Sequence, residues 1–169
     1  MDLYVIRHAD AAPLGEGGIA TDADRPLTKK GQDQAKQLAS GLSARRIRLG
    51  VVLTSPLRRA LETAERMLQE WPNPAPQLRV CQELAPGGKR RKLSRVVSEL
   101  GSDTVALVGH QPDLGRYIAW LIGSKKTQLD LAKAGVAHVV CEKDLGKGEG
   151  ALALLVAPEW LGISPTAST

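Results

Sequence analysis

The feature that most constrains the fold is a recurrence of short apolar runs, each followed by turn chemistry and then by a stretch with helical periodicity. Leu3 to Ile6, Val51 to Thr54 and Thr104 to Val108 are such runs, of a length that suits a buried strand and little else. After the first, residues 9–26 hold Pro13, Gly15, Gly17, Gly18 and Pro26 with several aspartates, a composition for a loop. Thr28 then stands where a helix N-cap belongs, and Ala35, Leu38, Ala39 and Leu42 fall on one helical face, although Gly31 interrupts it. After the second run, Ser55 as N-cap and Pro56 at the first helical position introduce a helix from Leu57 to Trp71. Its expected buried stripe is Leu57, Ala60, Leu61, Ala64 and Leu68. Asn73 to Pro76 reads as a connector. A short strand over Leu78 to Cys81, a turn at Pro86-Gly87-Gly88, a basic helix from about Lys89 to Leu100, and a helix over Leu114 to Ile122 follow. Val136 to Cys141 and Leu152 to Val156 read as strands, and Pro165 to Thr169 as a frayed tail.

Strands alternating with helices of this length imply one α/β domain over residues 1–169: three layers, α/β/α, with a mainly parallel sheet and helices on both faces. A chain of 169 residues buries enough surface for a single core. In open sheets of this kind ligands gather beyond the carboxyl ends of the strands. Arg7-His8, Ser55 leading to Arg59, and Gly109-His110 all follow strand ends, so they are expected to converge along one edge.

The net charge of +5 favours anionic partners without choosing among phosphate esters, acidic proteins and nucleic acids. With no Phe, three Trp and two Tyr, the chain has little material for base stacking, which speaks against a nucleic-acid binder. Cys81 and Cys141 are far apart, without the spacing of a zinc site or a disulfide framework. The apolar run from Ala151 to Ala157 stops at Pro158, too short to span a bilayer. The first residues lack the basic and apolar regions of a secretory signal. The expectation is a cytoplasmic enzyme with no membrane partner.

Of three histidines, His8 and His110 each stand just after an apolar strand. Alone, either reads as a structural histidine. With Arg7 before His8, Ser55-Pro56-Leu57-Arg58-Arg59-Ala60 opening a helix, and Val108-Gly109-His110-Gln111-Pro112 after a strand, they form a constellation. These motifs resemble those of the histidine phosphatase superfamily: Arg-His-Gly, here Arg7-His8-Ala9; Ser-x-x-x-Arg-Ala-x-x-Thr-Ala, here Ser55 to Ala64; and Gly-His, here Gly109-His110. Within it the chain is similar to the small SixA-type phosphohistidine phosphatases, through Arg7-His8-Ala9-Asp10-Ala11, Arg25-Pro26-Leu27-Thr28 and Gly109-His110-Gln111-Pro112-Asp113-Leu114. The resemblance implies a phosphoglycerate-mutase-like fold, His8 as nucleophile, and Arg7, Arg59 and His110 as phosphate-binding groups, with Arg59 and not Arg58 in the second motif. It implies no cofactor and no metal.

Chemically, an attacking His8 must be neutral, with its other ring nitrogen held by an acceptor. Planar guanidinium forks suit the equatorial oxygens of a phosphoryl group in flight, and a protonated His110 would add a donor. His138, between Ala137 and Val139, reads as structural. Ala9 replaces the family's glycine, and would strain the loop if that position needed a positive φ.

Larger relatives carry a glutamate as proton donor; the comparable stretch here is Glu83-Leu84-Ala85-Pro86, with Glu83 or Asp10 as possible donors. An alkoxide-like leaving group, whose conjugate acid resembles water with pKa about 15.7, needs such help. Imidazole, with pKa about 6.5, needs far less. This favours phosphohistidine on a protein of the histidine-phosphotransfer type as substrate. The alternatives are a small phosphate ester, in a phosphomonoesterase or mutase of the same superfamily, and a non-catalytic phosphate-binding module. The run Lys89-Arg90-Arg91-Lys92 with Arg95 reads as a solvated helix face, or alternatively as a patch steering an acidic substrate protein.

Overall fold

A computed structural model describes residues 1–142 and 145–162. Six strands form one sheet in the order β3-β2-β4-β1-β5-β6: β1 is Asp2–Arg7, β2 Val51–Thr54, β3 Gln77–Val80, β4 Thr104–Gly109, β5 Val136–Cys141 and β6 Gly150–Val156. The first four run parallel; β5 is antiparallel to β1, and β6 to β5. The helices are α1 (Lys29–Ala44), α2 (Arg58–Gln69), α3 (Arg90–Ser98), α4 (Asp113–Leu121) and the short α5 (Pro158–Leu161). Among the described residues no helix is long and apolar enough to cross a membrane.

Alternation along the strands explains the layers, because successive side chains point to opposite faces. Leu3 and Val5 of β1, Leu53 of β2 and Leu107 of β4 join Val97 of α3 and Ile118 of α4 in one apolar cluster. Tyr4, Ile6, Val52, Ala106 and Val108 face the other way, meeting Leu38 of α1, Met67 of α2 and Leu161 of α5. The sheet is thus covered on both sides, as its central strands require.

The expected elements are present, with differences at α2 and at the end of the chain. Helix α2 begins at Arg58 with Leu57 as N-cap, two residues beyond the expected cap. Ser55 still belongs to the strand end, its N–H donating to Val108 O at 2.9 Å. The buried stripe of α2 is Arg59, Ala60, Thr63, Ala64 and Met67, so Leu57, Leu61 and Leu68 are only partly covered. The helix is turned so that polar Arg59 and Thr63 face inward, towards groups described below. Helix α5 was not expected, and the tail at residues 165–169 lies outside the described residues.

Thr28 does cap α1, its hydroxyl accepting from the Gly31 N–H at 3.1 Å. Gly31 itself is required: a Cβ there would run into the carbonyl oxygen of Asp10. The first turn of α1 is therefore pressed against the loop that leaves β1.

Candidate active site

Strand β1 carries its chain to the sheet edge, where His8 is only 6% exposed. Its N–H donates to Gly109 O of β4 at 3.0 Å, and its Nδ1 lies 2.8 Å from Ala9 O. A carbonyl can only accept, so Nδ1 carries the ring hydrogen and Nε2 keeps its lone pair. Burial first, then the nearby Arg59, Arg7 and Arg25 guanidiniums, push the His8 pKa down from 6.5 to about 4, opposed by the Ala9 bond. Neutral imidazole with a fixed tautomer is the form a nucleophile needs. Ala9 is buried and its N–H donates to Thr63 Oγ1 at 3.0 Å. Among residues other than glycine, positive φ occurs at Arg46 and Ala134 and not at Ala9, so alanine is accommodated there without strain.

Arg59, delivered by the inward face of α2, is 5% exposed and its Nε donates to His8 Nε2 at 3.1 Å. Its other nitrogens are taken by Asp22, on a 3₁₀ turn at Asp22–Asp24 within the loop after β1. Nη1 donates to the Asp22 carbonyl at 2.6 Å and Nη2 to Asp22 Oδ2 at 3.0 Å. Asp22 Oδ1 accepts from Arg25 Nη1 at 2.9 Å, and Arg25 is anchored by its Nε on Ala12 O at 2.6 Å. One carboxylate is thus shared between two guanidiniums, the arrangement an oxyanion such as phosphate also adopts. Hydrogen bonding from Arg25, followed by the charge and bond of Arg59, holds Asp22 below the usual carboxylate range despite partial desolvation.

His110 follows β4 and its ring centroid lies 5.1 Å from that of His8. Its Nε2 is 2.8 Å from Ser55 Oγ, and that oxygen also accepts from the Leu57 N–H at 3.3 Å. Its Nδ1 is buried without a partner. Burial, then Arg59, drives the His110 pKa down to about 3, so this ring is neutral, in contrast to the protonated form considered from sequence. Arg7 lies on the same edge, its Nη1 donating to Leu131 O at 2.7 Å and facing Asp130 at 3.5 Å, while its Nε is buried without a partner. Ala134, with φ 57, donates its N–H to the carbonyls of both Arg7 and His8 at 3.1 and 3.2 Å. Backbone in the left-handed region is unfavourable for alanine, and here it fixes the turn carrying both residues.

The two carboxyls considered as proton donors bond to groups other than His8, Arg7, Arg59 and His110. Asp10 accepts from Lys133 Nζ and from Thr28 Oγ1, both at 2.6 Å, and these bonds hold it ionised, below the usual carboxylate range. Glu83 lies on a 3₁₀ turn after β3, accepting from Cys81 Sγ at 3.5 Å. His138 is structural: it stacks on Tyr4 with centroids 4.5 Å apart and meets Asp2 Oδ1 at 2.6 Å. Sequence reasoning brought His8, Arg7, Arg59 and His110 together but missed Asp22, Ser55 as the partner of His110, and the Ala9 and Leu131 carbonyls. Among the described residues no three His, Cys, Asp or Glu side chains come together as metal ligands would.

An open, mostly parallel sheet with two neutral imidazoles, a buried guanidinium and two partly buried ones at its carboxyl edge defines a class of phosphoryl-handling enzymes. The chain belongs to the histidine phosphatase superfamily (branch 1), whose family model matches residues 3–88. Within that superfamily it is a phosphatase of the SixA type. It is 32% identical over 124 residues to the phosphohistidine phosphatase SixA of Escherichia coli, covering 72% of this chain and 74% of that one. An uncharacterized protein of Picosynechococcus is 37% identical over 167 residues, covering 95% of this chain and 99% of its own. The structure of the protein histidine phosphatase SixA complexed with tungstate superposes with a TM-score of 0.82 at 29% identity, over 95% of this chain and 99% of that one. The fold alone is shared with the α-ribazole phosphatase of Shigella flexneri, at 19% identity and a TM-score of 0.72, over 94% and 97% of the two chains.

Proposed function

We propose that the chain hydrolyses phosphohistidine on phosphotransfer proteins, with His8 as nucleophile and Arg7, Arg59 and His110 as the groups that hold the phosphoryl oxygens. The observation that carries this reading is the state of His8: neutral, tautomer fixed by Ala9 O, and Nε2 facing the Arg59 guanidinium. In the first step Nε2 forms a bond to phosphorus while the bond from phosphorus to the substrate imidazole breaks. In the second, water attacks the phosphorylated His8, releasing inorganic phosphate and returning the lone pair to Nε2.

The leaving group supports the choice of substrate. Asp10 is held ionised, which suits a departing imidazole, needing little protonation, better than a departing alkoxide. The name of the Escherichia coli relative, a phosphohistidine phosphatase, points the same way. We place the activity in the cytoplasm, where buried free thiols such as Cys81 and Cys141 stay reduced.

The test is turnover of a phosphohistidine-bearing phosphotransfer domain beside a panel of phosphate monoesters. The expected result is preference for the phosphoprotein, an acid-labile phosphate trapped on His8, and no turnover by His8→Ala. An active His8→Ala protein would overturn the mechanism. A sugar phosphate or phosphoserine turned over as well as the phosphoprotein would overturn the substrate assignment. Arg59→Ala and Arg7→Ala should each lower kcat by about 10²–10³, the usual loss when one donor to developing oxyanion charge is removed.

A further inference from the structure

Two adjoining cavities of about 470 and 370 Å³ form a groove between α3 and α4, sharing Arg90, Arg91, Arg116 and Trp120. Among the described residues, seven basic side chains and one carboxylate, Asp113, line them. That excess is larger than the net charge of the whole chain, +5, so the remainder of the protein is close to neutral. The basicity is concentrated in one place.

The lining has no folding role that accounts for it. Arg90, Arg91 and Lys92 occupy the first turn of α3, where the positive end of the helix dipole disfavours cations. Arg116 meets Asp113 at 3.6 Å, whereas Arg90, Arg91 and Lys125 have no carboxylate partner among the described residues. A solvated face gains nothing from such crowding, while an anionic surface laid across it offsets the repulsion. The floor is aromatic: Tyr117 and Trp120 stack with centroids 6.1 Å apart, and Tyr117 is fixed by Ser94 at 3.0 Å.

One wall of the groove, α4, starts at the carboxyl edge of the sheet, just after β4 and His110. Asp113 is three residues beyond His110, and its Oδ2 accepts from the Gly87 N–H at 2.8 Å, tying the loop before α3 to the start of α4. A protein whose phosphohistidine reached His8 would lay its neighbouring surface towards this end of α4.

We propose that this groove docks an acidic surface of the phosphorylated substrate protein, next to the phosphohistidine. The proposal rests on the proposed function for the identity of the partner. Docking through the groove acts on encounter and affinity and leaves the chemistry at His8 untouched, because Arg90, Arg91 and Lys125 belong to neither the nucleophile nor the phosphoryl cradle.

The experiment compares wild type with Arg90→Glu/Arg91→Glu and with the milder Arg90→Gln/Arg91→Gln on two substrates. One is a phosphohistidine-bearing phosphotransfer domain with an acidic surface; the other is free phosphohistidine. The expected result is a tenfold or greater fall in kcat/KM on the protein, carried by KM and by a weakened dependence on ionic strength. Turnover of free phosphohistidine should stay unchanged, which also shows that the variants fold. Equal kcat/KM on the protein for variant and wild type, or equal losses on both substrates, overturns the groove. Wild type that hydrolyses monoesters but not phosphohistidine overturns the proposed function instead. The groove is then judged by calorimetric titration with the unphosphorylated acidic domain: binding lost in Arg90→Glu/Arg91→Glu upholds it, and no binding, or binding unaltered in that variant, overturns it. Tighter binding of an RNA oligonucleotide than of the acidic domain, abolished by the same variant, would also overturn it.

Discussion

On the proposed function, an incoming phosphoryl group competes with Asp22 for the N–H groups of Arg59, so anion binding at this site weakens the pair that Arg59 makes with that carboxylate. The pair joins a nearly buried guanidinium to a carboxylate whose side chain is 54% exposed, so solvent screening keeps its worth within about 0.2–1 kcal/mol. Asp22→Asn should therefore tighten competitive inhibition by inorganic phosphate about two- to fivefold, read as a lower inhibition constant; a weaker one would mean that Asp22 assists the anion. The two histidines make a separate prediction about pH. Their folded pKa values, about 4 for His8 and about 3 for His110, lie below the ordinary 6.5. Below pH 6.5 the unfolded chain binds protons that the folded chain refuses, so stability is full above 6.5 and falls as pH drops towards 4 and 3. For His8 the loss is on the order of 3 kcal/mol. Urea unfolding from pH 7 to 4 should show this decline, and imidazole ¹⁵N shifts should keep both rings neutral at pH 5.5. An imidazolium signal for His8 at that pH would contradict it.

Secondary structure around the site was legible where only one arrangement could bury a segment. Leu3 to Ile6 and Thr104 to Val108 are apolar at consecutive positions, which suits a strand covered on both faces, and the residues after them necessarily reach the sheet edge. Helix α2 was legible in place but not in orientation. Its inner face includes Arg59 and Thr63, residues that hydropathy assigns to solvent and that are buried because Asp22, His8 and Ala9 give them partners. The Asp22 contact had no sequence signal at all: the loop after β1 has no periodicity, and nothing distinguishes Asp22 from Asp24 before the chain folds back. Gly31 could be recognised as a helix interruption, but the reason for it lies in the loop it touches. Gly31→Ala should push the Asp10 carbonyl and the first turn of α1 apart. Overpacking of this kind costs about 1–3 kcal/mol, and a drop in Tm of about 2–10 °C is expected in a thermal melt; an unchanged Tm would show that the contact yields freely.

At the scale of the molecule, the site is where otherwise separate parts meet: β1 through Arg7 and His8, α2 through Arg59, β4 through His110, and the loop after β1 through Asp22 and Arg25. Covalent continuity does not hold these parts at one point. Their guanidiniums repel one another, and Arg7 Nε and His110 Nδ1 are buried polar atoms without partners, each a liability of about 1–3 kcal/mol. On the proposed function, a tetrahedral anion that accepts from several of them would join the elements to one another, and it would bind only the folded chain. By mass action, an anion at a hundred times its Kd adds about 2.7 kcal/mol of stability, and for a chain of this length that corresponds to a rise in Tm of roughly 5–10 °C. Phosphate or vanadate at constant ionic strength should therefore raise Tm along a saturable curve, with the same midpoint as its inhibition of turnover. Chloride at equal ionic strength should not, because screening without coordination satisfies none of these donors. Arg59→Ala should lose most of the rise, while Arg90→Gln/Arg91→Gln, in the lining of the α3–α4 groove, should keep it. If Arg59→Ala were stabilised by phosphate as strongly as wild type, the anion would be binding elsewhere on this basic protein, and the convergence of strand ends would not be what holds it.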